Sequence, residues 1–482
     1  MIGLKELRRA VCTAPEAILS AARSVSRTPV PIVGSARPRC WLPHFSGHCE
    51  IVMIEWWIWR GRAWHCSWPP AGPAGARPMR RRQQRCGLLL LMLAVIPLLV
   101  LLEIPGTVAT KSNENNSVIF AKGTTVGAIT FQGFRIPTLT RLKNGSLLAS
   151  AEARYGHDGA RNEYPSSIVT RLSMDSAGEE WGPYSTLQAA TGVNYGNVMM
   201  ISDLVTGEVF VFFCHNNQDL FLTSTKDGGA TWAGKKNMTA TLKPQRGGVG
   251  SEWLGAGPSA GLQIPSTGRL LGACNSKVNG TDKEFLIISD DHGSTWRRSA
   301  FVPQGVAAGL GEAAVALSDG GKGLTMLVRA SDKAGTYHHF ASTSKTFGDS
   351  WAPATPAMTA ADSPSCADSV ISVYNHSVTV GVAPFGKLRQ NLTLFHSGTW
   401  TAEQSLYPYC AAYSSMANGL NDGDVMLLFE GVFDDPSFSC AKGGSSVYSI
   451  AVTSFHVSKM KHDDNEATPA AALHLSLSAW AA

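Results

Sequence analysis

An eight-residue pattern, [Ser/Thr]-x-Asp-x-Gly-x-[Ser/Thr]-Trp, restricts this chain more than any other feature. It reads Thr225-Lys226-Asp227-Gly228-Gly229-Ala230-Thr231-Trp232, and again Ser289-Asp290-Asp291-His292-Gly293-Ser294-Thr295-Trp296. Two looser copies flank these. Ser173 to Trp181 carries one inserted residue, and Ser344 to Trp351 has Thr346 in place of the Asp. The tryptophans stand at 181, 232, 296 and 351, at intervals of 51, 64 and 55 residues. A motif recurring at such a period marks a repeat architecture. Asp caps local amides and Gly tolerates positive φ, so the centre of the motif specifies a tight turn. Thr-Trp then opens a strand and brings a large apolar ring to bury.

The text between the copies agrees with strands. Short apolar runs such as Val209-Phe210-Val211-Phe212-Phe213, Phe285-Leu286-Ile287-Ile288 and Val425-Met426-Leu427-Leu428-Phe429 are bounded by Gly, Asn and Asp turns, the signature of strands rather than helices. The repeated pattern resembles the Asp box, a hairpin turn between the outer strands of propeller blades, whose Asp is scaffold and not catalyst. Dividing the body by the motif spacing gives about six blades, within the usual range for propellers. The expected fold is therefore all-β, a six-bladed β-propeller. A β-sandwich is the bland alternative, but it leaves the repeated turn unexplained.

The net charge of +5 is unevenly distributed. Residues 1–87 hold 14 Lys/Arg against 4 Asp/Glu, whereas residues 110–482 hold 27 against 31. The later part is near neutral, which argues against a nucleic-acid binder. Leu88 to Leu102 is a run of fifteen uncharged, mainly Leu residues, preceded by Met79-Arg80-Arg81-Arg82 and followed by Thr107-Val108-Ala109. A basic stretch, a short apolar run and small residues make a secretory signal. The alternative is a type II membrane anchor through 88–102, with the basic segment on the cytosolic side. Since a signal should begin a chain, translation is expected to start at Met79, with residues 1–78 a gene-model extension. The domain division is thus 1–78 unstructured, 79–109 signal or anchor, 110–458 catalytic propeller, and 459–482 a flexible tail. Six Asn-x-Ser/Thr sequons, at Asn115, Asn144, Asn237, Asn279, Asn375 and Asn391, agree with a lumenal body. The body's five cysteines are widely spaced, with no Cys-x-x-Cys. Neither a dense disulfide framework nor a zinc site is indicated.

Phe134-Arg135-Ile136-Pro137 resembles the F-R-I-P motif of the exo-α-sialidase (neuraminidase) family. Leu147-Leu148-Ala149-Ser150-Ala151-Glu152-Ala153-Arg154 is similar to that family's second strand. Gly386 to Leu394 and Ala412-Tyr413-Ser414-Ser415 resemble it further. The likeness spans roughly residues 117–458 and is nearest to the animal lysosomal-type enzymes. It implies hydrolysis of terminal sialic acid from glycoproteins, glycolipids and oligosaccharides, in the secretory pathway: lysosomal, extracellular or membrane-associated.

The residue types suit that substrate. Sialic acid carries a carboxylate on its anomeric carbon, and guanidinium groups bind carboxylates bidentately while staying charged. The resemblance implies an arginine triad, assigned to Arg135, Arg329 and Arg389. The substrate's own anion discourages an anionic nucleophile, and sialidases use a Tyr instead. Tyr413 is the expected nucleophile, with Tyr407 and Tyr409 as competitors. Glu312 is its expected base. Asp158, on a loop after Arg154, is the expected acid/base, with Glu163 as the alternative. Arg154 is expected to orient that loop or touch the sugar. Asn194 and Asn197 are candidates to face its N-acyl or glycerol groups. The chemistry requires no cofactor and no metal; the resemblance leaves any protein partner open. Trans-sialidase activity and a non-catalytic sialic-acid-binding propeller are the alternative functions.

Three further patterns point elsewhere. Gly257-Pro258-Ser259-Ala260-Gly261 fits the nucleophile elbow G-x-S-x-G, which needs a following helix; a strand and turn are expected there instead. Gly229 to Lys236 approaches a P-loop but lacks its Ser/Thr and falls in a hairpin. His338-His339 are adjacent, so on a strand they point to opposite faces and suit a metal poorly.

Overall fold

A computed structural model describes residues 116–458, apart from 156–164, 190–191, 247–248, 251–252, 436 and 443–446. The signal or anchor segment, the C-terminal tail, Asp158 and Glu163 lie outside the described residues. The rest is all-β: the α-helix is a single turn, Thr239–Leu242, among the described residues. No helix described is long and apolar enough to cross a membrane.

The strands form antiparallel sheets in chain order. The first sheet comprises Gly133–Arg141, Leu147–Arg154, Ser166–Leu172 and Ser185–Gln188. The second comprises Tyr195–Ser202, Val209–His215, Asp219–Thr225 and Lys236–Asn237. The third runs Trp253–Ala256, Leu270–Val278, Thr281–Ser289 and Arg297–Arg298, with Leu262–Gln263 beside its second strand. The fourth runs Ala307–Ser318, Gly323–Asp332, Tyr337–Ser344 and Thr355–Thr359. A seven-stranded sheet completes the body, in the order Ser369–Val373, Val378–Pro384, Gln390–His396, Ala402–Asn418, Asp424–Gly431, Ser449–His456 and Ser117–Phe120. Its 17-residue strand Ala402–Asn418 pairs with Gln390–His396 through its first half and with Asp424–Gly431 through its second.

Buried apolar clusters lie between consecutive sheets. Leu148 and Ile168 of the first meet Met200 and Val211 of the second. Phe212 of the second meets Leu254 and Phe285 of the third. Leu286 of the third meets Val328 and Phe340 of the fourth, and Leu327 of the fourth meets Ala383 and Phe395 of the last. A further cluster joins Leu147 and Val169 of the first sheet to Leu428 and Val452 of the last.

Each copy of the repeated motif is the turn between the third and fourth strands of a sheet. Asp291 Oδ1 accepts from the Thr295 backbone N–H (2.8 Å) and the Ser289 hydroxyl (2.8 Å), and Oδ2 accepts from the Thr295 hydroxyl (2.6 Å). Asp227 does the same with Thr231 and Thr225. These bonds to the ionised form draw the Asp227 carboxyl down to about 2, as expected for a carboxylate receiving several donors. Thr346 in the degenerate copy keeps one acceptor, its hydroxyl receiving the Ser350 N–H at 2.8 Å. Gly293 has φ +82°, and a Cβ there would collide with the Phe210 ring of the preceding sheet. Trp296 packs edge-on against Phe210 and Phe212. The motif thus makes a hairpin and fastens its sheet to the one before.

Candidate active site

The residues expected to bind and react come from strands far apart in sequence, and local irregularities aim them. The first strand of the first, second and fourth sheets, and Ala402–Asn418 in the last, each carry a register shift against the next strand. It falls between Arg135 and Thr138, between Gly196 and Met199, between Leu310 and Ala313, and between Ala411 and Ser414. In each, two residues face one partner, the signature of a β-bulge that re-aims a side chain. Ile136, Asn197, Glu312 and Tyr413 all sit inside these shifts. Ile136 and Asn197 have positive φ, 54° and 48°.

These side chains converge on one cavity of about 680 Å³. Its lining includes Arg135, Arg329, Arg389, Glu312 and Tyr413, with Arg154, Glu152, Asn194 and Asn197, and Trp253, Asn275, Lys277 and Asp282. Tyr413 Oη lies 2.8 and 2.9 Å from the two carboxylate oxygens of Glu312 and 2.8 Å from Arg329 Nη1. Arg329 Nη1 also donates to Glu312 Oε2 at 2.6 Å. The guanidiniums of Arg135 and Arg389 lie over the Tyr413 ring, at 5.1 and 5.3 Å from its centroid. Burial first, and then the Glu312 charge, push the Tyr413 phenol well above its ordinary value, while Arg329 and Arg389 pull the other way and lose. The phenol is therefore neutral at rest and needs a base to become a nucleophile. Glu312 is within reach to be that base.

Three supporting residues were not assigned roles from sequence. Glu430 is fully buried and accepts from Arg135 Nε (2.7 Å), from the Ile136 N–H (2.7 Å) and from the Tyr413 N–H (3.3 Å). Burial works against the Arg135 charge, but Glu430, helped by Tyr413 and Tyr448, outweighs it and keeps the guanidinium firmly protonated. Glu152 accepts from Arg154 Nη2 (2.6 Å) and from the Asn197 N–H (2.8 Å). A Cβ at Gly196 would run into that carboxylate, so glycine is needed there. Ser365 holds two arginines: its hydroxyl accepts from Arg329 Nε (2.9 Å) and its carbonyl from Arg389 Nη2 (3.0 Å). The available signal was weak. Glu430 ends the apolar run Val425 to Phe429, and a carboxylate there must be paired if it is buried.

The competitors are placed elsewhere. Tyr407 is buried in the core, donating to the Val432 carbonyl. Tyr409 is exposed, and neither lines the cavity. Ser259 precedes the strand Leu262–Gln263, not a helix. His338 and His339 contact the carbonyls of Ser363 and Cys366, in one segment. No cluster of ligating side chains able to hold a metal occurs among the described residues. A disulfide joins Cys410 to Cys440, while Cys214, Cys274 and Cys366 are buried thiols.

Comparison with known proteins places the chain in a family. Residues 145–425 match the family model described as BNR repeat-like domain. A sialidase of Micromonospora viridifaciens is 26% identical over 348 residues, covering 62% of this chain and 50% of that protein. Human Sialidase-4 is 28% identical over 220 residues, 39% of this chain and 44% of the relative. These alignments span half or less of the relatives' length. Among solved structures, the Hadza microbial sialidase Hz136 shares the fold with a TM-score of 0.57 at 20% identity, over 71% of this chain and 68% of that one. The intramolecular trans-sialidase of Ruminococcus gnavus does so with a TM-score of 0.52 at 16% identity, over 70% and 97%. With the match covering more than half its length, this chain belongs to the BNR repeat-like domain family, and the relatives it resembles there are sialidases.

Proposed function

We propose that this protein is an exo-α-sialidase that hydrolyses terminal sialic acid from glycoconjugates with retention, through a tyrosyl-glycosyl intermediate. The observation that carries the reading is Tyr413 Oη within hydrogen-bond distance of both Glu312 oxygens, beneath the guanidiniums of Arg135 and Arg389. A binding module needs cations for the substrate's carboxylate, but it has no use for a buried tyrosine–carboxylate pair. Arg135, Arg329 and Arg389 are the carboxylate clamp. As Tyr413 Oη bonds to the anomeric carbon, its proton passes to Glu312 and the glycosidic C–O bond breaks. Asp158 protonates the departing oxygen. In the second step Asp158 takes a proton from water as the water oxygen bonds to the anomeric carbon. The bond from the anomeric carbon to Tyr413 Oη breaks in that same step, and Tyr413 recovers its proton from Glu312. In the second and third sheets the connections between the second and third strands reach the cavity through Asn217 and Gly280; the role given to Asp158 rests on the sequence resemblance.

The body is read as a six-bladed propeller. Four sheets supply one blade each, and the seven-stranded sheet supplies two joined through Ala402–Asn418. The cluster between the first and last sheets supports a closed order. Secretion, through a cleaved signal or an anchor at 88–102, and a lysosomal or cell-surface location are part of the same reading. Sugar transfer is the second reading, favoured by Trp253 on the cavity wall, an aromatic face able to receive an acceptor sugar.

The test is the full chain, expressed in a secretory host, against a fluorogenic α-sialoside, with and without lactose as acceptor. Release of free sialic acid, lost in Tyr413→Phe, is the expected result. Sialyl-lactose as the main product would move the reading to transfer. A folded protein that binds sialic acid without turnover would reduce it to a lectin.

A further inference from the structure

Behind the arginine clamp lies a buried pair that the mechanism does not use. His339 is the cross-strand partner of Arg329, on Tyr337–Ser344 against Gly323–Asp332. Its side chain is fully buried, and Asp368 is nearly so. His339 Nε2 lies 2.6 Å from Asp368 Oδ2 and hydrogen-bonds the Cys366 carbonyl at 3.0 Å. Neither Asp368 oxygen has a further polar partner among the described residues, so the contact with His339 is what offsets their burial. Beside it, His338 Nδ1 contacts the Ser363 carbonyl at 3.0 Å.

Both histidines therefore hold the segment from Ser363 to Asp368. Ser365 of the same segment in turn holds Arg329 by Nε and Arg389 by Nη2. That segment lies outside strands, between Thr355–Thr359 and Ser369–Val373, and has no ladder of its own to fix it. A clamp for one carboxylate works only when its guanidiniums keep their mutual spacing, and groups that lock such side chains from behind decide that spacing.

We propose that His339, paired with Asp368, is a positioning residue for carboxylate recognition: it pins Cys366 so that Ser365 sets Arg329 against Arg389. The inference rests on the sialidase reading for its substrate, but not for its geometry. His339 touches no substrate. Its loss slackens the clamp while leaving Tyr413 and Glu312 bonded to each other, so the effect falls on binding more than on chemistry.

The experiment compares the full-length parent with His339→Phe, His339→Gln, Ser365→Ala and the His339→Phe/Ser365→Ala double variant. KM and kcat are measured on an α-sialoside, and thermal unfolding alongside. The expected result is a KM about tenfold higher in His339→Phe, equivalent to ~1.4 kcal/mol of binding, with kcat within about threefold of the parent. Gln, which can still donate to the Cys366 carbonyl, recovers most of the loss. Ser365→Ala copies His339→Phe, and the double variant is scarcely worse than either single, as expected for two residues acting through one contact. A folded His339→Phe with parental KM overturns the proposal; so does a double variant whose losses multiply. If His339→Phe does not fold, His339→Gln and Ser365→Ala decide it, through whether KM moves apart from kcat. A parent without turnover would sink the sialidase reading alone. Calorimetric binding of sialic acid to the same variants would then decide this one, with the same ordering expected and equal affinities overturning it.

Discussion

Arg135 and the carboxylate of Glu430 are joined along one edge of the guanidinium: Nε donates to Oε1 at 2.7 Å, and the same oxygen takes the neighbouring Ile136 N–H. Holding the Nε edge leaves the two Nη nitrogens without a hydrogen bond to any described residue, on a side chain that lines the cavity. Glu430 thus fixes the arginine without consuming the part of it that would meet a ligand's carboxylate.

Removing one partner of such a pair should be costly. Glu430→Ala strands a buried guanidinium and is expected to lose about 3–5 kcal/mol of stability. Glu430→Gln keeps an acceptor for the Arg135 and Ile136 donors and should lose less, while raising KM for a sialoside. Urea unfolding of the two variants checks this. Equal stability of Glu430→Ala and the parent would show that Arg135 finds another partner.

On the mechanism proposed, Tyr413→Phe and Glu312→Gln should each lower kcat by about a thousandfold or more, since a nucleophile and its base act as one unit and are strongly non-additive. The double variant should then be little slower than the slower single one. Multiplying losses in steady-state kinetics would mean that Glu312 and Tyr413 serve separate steps, despite the 2.8 Å between them.

Two turn glycines of the third sheet offer a controlled comparison. Gly280 has φ +73° with open space around its would-be Cβ, whereas Gly293 at φ +82° faces the Phe210 ring. Gly280→Ala should cost only the backbone penalty of about 1–2 kcal/mol. Gly293→Ala should cost clearly more, because a ring in a packed interface must also move. Chemical denaturation of both variants separates strain from collision, and equal losses would remove Phe210 from the account.

Glu284 supplies a pH signature. It is fully buried, with Oε1 receiving the Cys274 N–H and Oε2 without a partner among the described residues. Burial, the leading cause, raises its pKa well above the ordinary value. A carboxyl raised by folding takes up a proton when the chain folds. Its penalty is absent below the unfolded pKa of about 4.3 and grows as pH rises toward the folded value. Glu284→Gln should therefore match the parent near pH 4 and exceed it in urea midpoint at pH 7 to 8. A constant difference between the two proteins across that range would refute the assignment.

The readable part of this protein was what neighbours in sequence decide. The repeated Asp and Gly specify a turn by local bonding, and even Thr346 could be seen as a damaged copy because Ser344, Gly348 and Trp351 kept their places. Arg135, Arg329, Arg389, Glu312 and Tyr413 were nameable from their surrounding motifs, and the structure gathers them at one cavity. What could not be read depends on the partner strand. A bulge at Glu312 exists only relative to Arg329, and one at Tyr413 only relative to Glu430. Ser365 sits in an ordinary Ser-Pro-Ser-Cys stretch whose value appears only when two distant arginines fold against it. Asp158 lies outside the described residues, so its place rests on the sequence resemblance.

The first described strand, Ser117–Phe120, pairs with the last, Ser449–His456, and Lys122 N–H reaches the Ser449 hydroxyl at 3.0 Å. During synthesis the early strand therefore waits for its ladder partner until almost the whole body has left the ribosome. A nascent chain stopped short of Ser449 would carry an open strand edge, a template for pairing with other chains. The same adjacency brings the ends of the described body together. A short linker between them, with new ends opened at the exposed Gly320 turn, would give a permuted chain that makes this closure first.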